Sequence, residues 1–214
     1  MRDALSRDDA AALIAAGIGV LRWGGVVARN RDTLIALGEG APAVLGAAVR
    51  QLDPRTADLE RMNEVRLMNA GFTKLYSLLI DDFPIYDGRV GAALGYLVRL
   101  HLDERGATSV PDTLRFPWGV AKGYRRGSST KNRNPSFNGL VFPALRADVR
   151  MHARANVMAA WFLGELSSTG CFGQLPESQR VLALQSGLFM IGFEVPLQAS
   201  SVRYGSSFPG SPDA

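Results

Sequence analysis

The chain has a single cysteine, Cys171, in 214 residues, so no internal disulfide can form and a reducing compartment is the simplest setting. Histidine is almost as scarce, with only His101 and His152. One thiol and two imidazoles exclude a conventional structural zinc site, and neither a metal nor a cofactor is expected. Long apolar runs are missing too. The nearest, AAALIAAGIGVL at 10–21, falls short of the about 20 residues that a membrane-spanning helix needs. Asp8 and Asp9 stand just before it, where a signal peptide would carry basic residues. It reads as part of a core helix over 6–22, capped by Ser6 or Asp8, in a cytoplasmic protein without a membrane partner. Internal repeats, heptads and sustained period-two alternation are also absent, which leaves a mainly α fold.

Apolar residues make up 47% of the chain and charged ones 21%, a balance that supports a packed core. The net charge is +4, unevenly spread. Residues 1–110 hold 13 basic and 14 acidic side chains, whereas residues 111–214 hold 11 and 6. A C-terminal basic surplus points to a polyanionic partner. Arginine outnumbers lysine 21 to three, so Lys74, kept beside an apolar run, stands out.

Helical spacing and breakers divide the chain. Short helices are expected over 31–37 and from Pro42 to about Leu52, the proline suiting a first turn. Another is expected over 54–68, where Leu59, Met62, Val65 and Met68 recur at helical intervals. A long helix is expected to start near Pro143 and reach Ser167, and a last one to run from Pro176 to about Phe193. The turn at Gly24-Gly25 lacks a phosphate-binding context and reads as structural. Phe189, Phe193, Trp161 and Phe162 read as core.

The segment 103–139 is rich in glycine, proline, serine and charge, and reads as a long functional loop. From Arg115 to Arg133 it carries six basic residues and no acid: Arg115, Lys122, Arg125, Arg126, Lys131 and Arg133. Phe116, Trp118 and Tyr124 are interleaved with them. Such a segment suits contacts to a nucleic-acid backbone, with Trp118, Phe116 or Tyr124 able to wedge into the stack or sandwich a base. A solvated loop pinned by its aromatics is the plainer alternative.

The stretch 69–102 contains two helix starts. GFTKLYSLL places Lys74 in the first turn of a short helix, and FPIYDGRVGAAL places Asp87 at the mouth of the next, ahead of Val90. An aspartate there is an ordinary N-cap, worth about 1 kcal/mol, and a lysine beside apolar residues can simply lay its stem along them. Further on come Arg133-Asn134-Pro135, Phe142-Pro143, His152-Ala153 and Asn156. His152 and Asn156, four apart, share a helix face and could reach one ligand. A satisfied core histidine and a capping asparagine are the alternative.

Together these motifs resemble the helix-hairpin-helix DNA glycosylases, and within them an 8-oxoguanine-glycosylase-like group of bacterial proteins. The strong part of the match is 71–98. The resemblance implies a helix-hairpin-helix glycosylase-like helical fold, as one domain over 1–198 with a flexible tail at 199–214. It implies double-stranded DNA as the partner, with no protein partner evident. The activity implied is excision of a flipped base, either an 8-oxoguanine-like lesion or a modified base of invading phage DNA. Lys74 would attack C1′, with strand cleavage by an AP-lyase step as a further possibility, while Asp87 would stabilise the cationic sugar. Burial and the positive end of a helix would lower the pKa of Lys74. The family's hairpin carries a glycine pair; here the corresponding text is MNAGFTK, with Gly71 kept and Phe72 in the other place. That departure, and a shorter lysine–aspartate spacing, leave open a DNA-binding module without catalysis. A helical protein in which both residues are structural is the third reading.

Overall fold

Three helix starts in this chain follow acids that cap them. In the computed structural model, which describes residues 1–121 and 131–197, the side chain of Asp9 accepts from the amide of Ala12 and opens α2, Ala10–Trp23. Asp87 accepts from Arg89 and Val90 and opens α6, Gly88–Glu104. Asp148 accepts from Met151 and opens α7, Val149–Ser167. Each bond satisfies amides that a helix start otherwise leaves bare. The other helices are α1, Arg2–Ser6; α3, Asn30–Ala36; α4, Ala41–Leu52, with its proline in the first turn; α5, Phe72–Leu79; and α8, Glu177–Ile191. Among the described residues there is no β-strand, only isolated bridges of Trp118 with Ala144 and of Phe137 with Leu140. The fold is mainly α.

Three expectations about the elements change. The helix expected over 6–22 starts later, at Ala10, because Ser6 ends α1, Asp8 turns the chain at φ 58° and Asp9, not Ser6 or Asp8, is the cap. No helix forms over 54–68. The Asp53 and Asp58 carboxylates take the amides of Arg55 and Glu60, Gln51 takes that of Glu64, and Arg154 and Trp161 of α7 donate to the carbonyls of Leu59 and Pro54. These bonds replace a helical ladder, while Met62, Val65 and Met68 stay buried. Finally, α7 starts at Val149 rather than near Pro143. The residues before it are extended, with the Trp118 amide donating to the Pro143 carbonyl at 3.0 Å and the Leu145 amide to that of Trp118 at 2.7 Å.

Two apolar clusters fill the interior. One gathers Leu13, Leu21, Leu34, Leu45, Phe72 and Tyr76 from α2–α5 with Ala4 of α1 and Met62, Val65 and Met68 of the loop before α5. The other gathers Val90, Leu94 and Val98 of α6 with Phe116, Phe142 and Leu188. Helix α7 serves both. Ala153, Val157 and Ala160 belong to the first cluster, and Ala155, Ala159 and Leu163 to the second. At 100° per residue, Asn156 falls on the seam between those two stripes, and His152 lies within the second, between Ala159 and Leu163. On α6, Gly88 and Gly91 let the segment after Phe116 approach backbone to backbone: a Cβ at Gly88 would lie 2.6 Å from the Gly119 Cα, and one at Gly91 would overlap the Pro117 carbonyl.

Among the described residues no single helix is long and apolar enough to cross a membrane. Asn30–Ala36 with Gly38–Leu52 reaches that length only as a pair bent by 96°.

Candidate functional site

A cleft of about 1210 Å³ opens where the two halves meet. Lys74 enters it from α5. The lysine sits in the first turn, and its Nζ donates to the Ala70 carbonyl at 3.2 Å. Its stem lies against Gly24, where α2 ends: a Cβ there would overlap the lysine Cδ and come 2.6 Å from its Cε. Asp87 borders the same cleft from the start of α6. Its Oδ1 takes both capping bonds, from Arg89 N at 2.8 Å and Val90 N at 3.1 Å. Its Oδ2 accepts no hydrogen bond among the described residues. One oxygen caps the helix and the other is left for the cleft, so the two readings of this residue are compatible.

Beneath the pair lies a buried polar network. The Thr73 hydroxyl donates to Asn156 Oδ1 at 2.5 Å and accepts from the Tyr86 amide at 2.9 Å. Asn156 Nδ2 donates to the Pro84 carbonyl at 2.8 Å, and His152 Nε2 lies 2.8 Å from the Tyr86 carbonyl. The Tyr86 hydroxyl donates to the Pro117 carbonyl at 2.7 Å. Burial lowers the pKa of His152, outweighing the Tyr86 carbonyl and the Asp87 charge, so the ring is held neutral and donates to that carbonyl. Burial, aided by the Asp87 charge, pushes the Tyr86 phenol well above its ordinary value and keeps it a donor. Thr73 precedes Lys74, and Tyr86 precedes Asp87. The network therefore fixes the two cleft residues relative to each other through their neighbours.

The opposite wall is α8 and the residues just after it. Phe189, 39% exposed, Met190, 73% exposed, and Phe193, 40% exposed, border the cleft rather than the core. Gln185 borders it as well, and its Oε1 is pinned by the Ile85 amide at 2.6 Å. Trp23, 77% exposed, stands at the rim beside Gly24. Cations complete the lining: Arg89, Lys131 and Arg133 join Lys74, with Asp87 the one acid among the described residues that line it.

The structure thus brings Lys74, Asp87, Lys131 and Arg133 to one cleft and sends other candidates elsewhere. His152 and Asn156 do not line it. Both are buried and bonded to the 84–86 backbone, so they act on the cleft from below rather than on a ligand in it. Trp118 is half-buried and spends its indole N–H on the Phe142 carbonyl at 3.2 Å. Arg115 pairs with Asp112 at 3.2 Å, away from the cleft. Gly71 is half of a closed turn: its amide and that of Phe72 donate to Asn69 Oδ1 at 2.7 and 3.1 Å. Lys122, Tyr124, Arg125 and Arg126 lie outside the described residues, as does the tail 199–214.

Sequence reasoning missed Gly24, Arg89, Gln185 and the exposure of Phe189 and Phe193. The glycine carries no signal of what its absent Cβ makes room for. Aromatics at helical spacing read as core whichever way the helix is turned. Among the described residues no group of histidine, cysteine and carboxylate side chains could hold a metal ion. Comparison with protein-family models, with curated proteins and with solved structures returned no match for this chain.

Proposed function

We propose that the chain is a DNA glycosylase of the helix-hairpin-helix type, acting on double-stranded DNA with Lys74 as nucleophile and Asp87 as its partner. The observation that carries this reading is that a lysine and an aspartate, from the first turns of two different helices, line one cleft with a basic rim. Its volume of about 1210 Å³ exceeds the about 300–1,000 Å³ of ordinary small-ligand sites and leaves room for a nucleotide. A base turned out of the duplex would rest against Phe189, an exposed ring on the α8 wall. Gln185, whose amide oxygen is already held, keeps its Nε2 hydrogens for an acceptor on that base.

The chemistry follows from the atoms. The neutral Lys74 amine attacks C1′ as the bond to the base breaks, and the bonding pair leaves with the base. The sugar gains positive charge on the way, and the Asp87 carboxylate stabilises it at short range. After loss of the amine proton and opening of the sugar ring, the adduct is a Schiff base. Removal of a C2′ proton from that adduct expels the 3′ phosphate by β-elimination.

The test uses duplexes carrying 8-oxoguanine, uracil, hydroxymethylcytosine or glucosylated hydroxymethylcytosine, with borohydride to reduce any Schiff base. The expected result is a covalent complex on at least one duplex, lost in Lys74→Ala. A complex that persists in Lys74→Ala removes the lysine from its role. Salt-sensitive duplex binding with no base released from any substrate assigns the scaffold to binding without catalysis.

A further inference from the structure

We propose that Arg89, Lys131 and Arg133, gathered on Phe193, form a phosphodiester-binding lip that replaces the hairpin amides as the main grip on duplex DNA. This deepens the reading above and rests on DNA being the partner.

Three cations from two separate parts of the chain converge on one residue. Lys131 Nζ stands 3.1 Å from the centre of the Phe193 ring, and the Arg89 guanidinium carbon 5.1 Å from the same centre. Those two charges therefore lie within about 8 Å of each other. Arg89 also lies over Phe189, at 4.4 Å. Arg133 Nε donates to the Phe193 carbonyl at 3.4 Å. All three border the cleft that holds Lys74 and Asp87.

None of the three forms an ion pair among the described residues, although other arginines do: Arg2 with Asp81, Arg55 with Asp53, Arg154 with Glu60. Asp87, the acid of the cleft, spends Oδ1 on its helix cap. Glu194, next to Phe193 in the chain, pairs with none of them. Three like charges against the single Asp87 carboxylate leave a positive lip that favours an anion from outside. Burial, and then the charge of Arg89, lower the pKa of the Arg133 guanidinium, with the Asp87 charge only partly opposing them. A guanidinium laid on a ring keeps its edge N–H groups for the paired oxygens of a phosphate.

The hairpin is poorly placed to supply that grip. Four of its amides already have acceptors. Gly71 and Phe72 donate to Asn69 Oδ1, Thr73 to the Asn69 carbonyl and Lys74 to the Gly71 carbonyl. Asn69 is itself held by Asn30 at 2.9 Å.

The test measures binding of the full chain to a duplex with a central tetrahydrofuran site, an abasic analogue that cannot form a Schiff base, between 50 and 200 mM salt. Arg89→Gln, Lys131→Gln and Arg133→Gln are each expected to weaken binding and to lower the slope of log affinity against log salt by about 1. Phe193→Leu, which keeps apolar bulk without the ring, is expected to weaken binding, and Asn69→Ala to leave the slope unchanged. Thermal melts confirm that each variant is folded. Unchanged affinity and slope in the three cation variants overturn the lip, as does loss of the slope in Asn69→Ala alone. Slopes that fall as expected, with no base released from any duplex, uphold the lip and remove the glycosylase reading. A wild-type chain that fails to bind at 50 mM salt removes both.

Discussion

Gly24→Ala separates the position of Lys74 from the stability of the fold. Gly24 has φ −77° and ψ −2°, angles that any residue adopts, so alanine brings no backbone strain. What it brings is one methyl group. That carbon would overlap Lys74 Cδ and come 2.6 Å from Cε, where ordinary contact begins at 3.4 Å. The third neighbour, the Val20 carbonyl at 3.3 Å, is only slightly tight. The atoms that must give way are the far part of a flexible side chain, so the stem moves by roughly 1 Å and the backbone stays. A misplacement of that size costs a reaction about 10²-fold. Stability should hold or rise by about 0.4–1 kcal/mol, since alanine narrows the unfolded ensemble. The assay is the rate of borohydride-trapped complex at saturating duplex, with a thermal melt alongside. Because only three lysines occur in the chain, peptide mass spectrometry after brief reductive methylation reads Lys74 separately, and its labelling rate should change while that of Lys131 does not. Trapping and Lys74 labelling both at wild-type rates would refute the reasoning. A loss of trapping accompanied by a lower melting temperature would assign the effect to the fold.

The buried network supplies two more expectations. Thr73→Val leaves the Tyr86 amide without an acceptor and Asn156 Oδ1 without a donor. At about 1–3 kcal/mol for each orphaned group, denaturant unfolding should show a loss of at least about 2 kcal/mol, largely restored in Thr73→Ser. His152 titrates below its ordinary value in the folded chain because it is buried. The unfolded chain then binds more protons in the interval below about 6.5, so stability rises with pH there. As pH falls through about 6.5 stability should begin to drop, and the drop should level off below the depressed folded value. His152→Gln, which can still donate to the Tyr86 carbonyl, should flatten the melting curve between pH 7 and 5 relative to wild type. A variant with the same pH slope as wild type would show that this ring is not the group responsible.

Local chemistry was sufficient for much of the fold. Apolar residues at helical spacing, the capping acid at Asp87, and Pro42 in a first turn placed most helices near their observed positions. Scarce cysteine and histidine bounded the chemistry, and the two helix starts of 69–102 placed Lys74 and Asp87 at comparable points of neighbouring elements. These features depend on interactions within a few residues, which is why the sequence carries them openly.

Long-range geometry decided the rest. The helical pattern at 54–68 gave way to side chains of α7 that take its carbonyls. His152 and Asn156, adjacent on a helix face, proved to bond the 84–86 backbone beneath the cleft, because the packing of α7 turns that face to the loop before α6. Phe189 and Phe193 follow the same spacing as core residues, and only the placing of α8 turns them to the cleft. Gly24 matters for an atom it lacks, measured against a lysine 50 positions away. Periodicity tells which residues share a face, but what that face meets is set by contacts between distant segments. For that reason the residues of the cleft were partly legible in the sequence, and their arrangement came only from the tertiary structure.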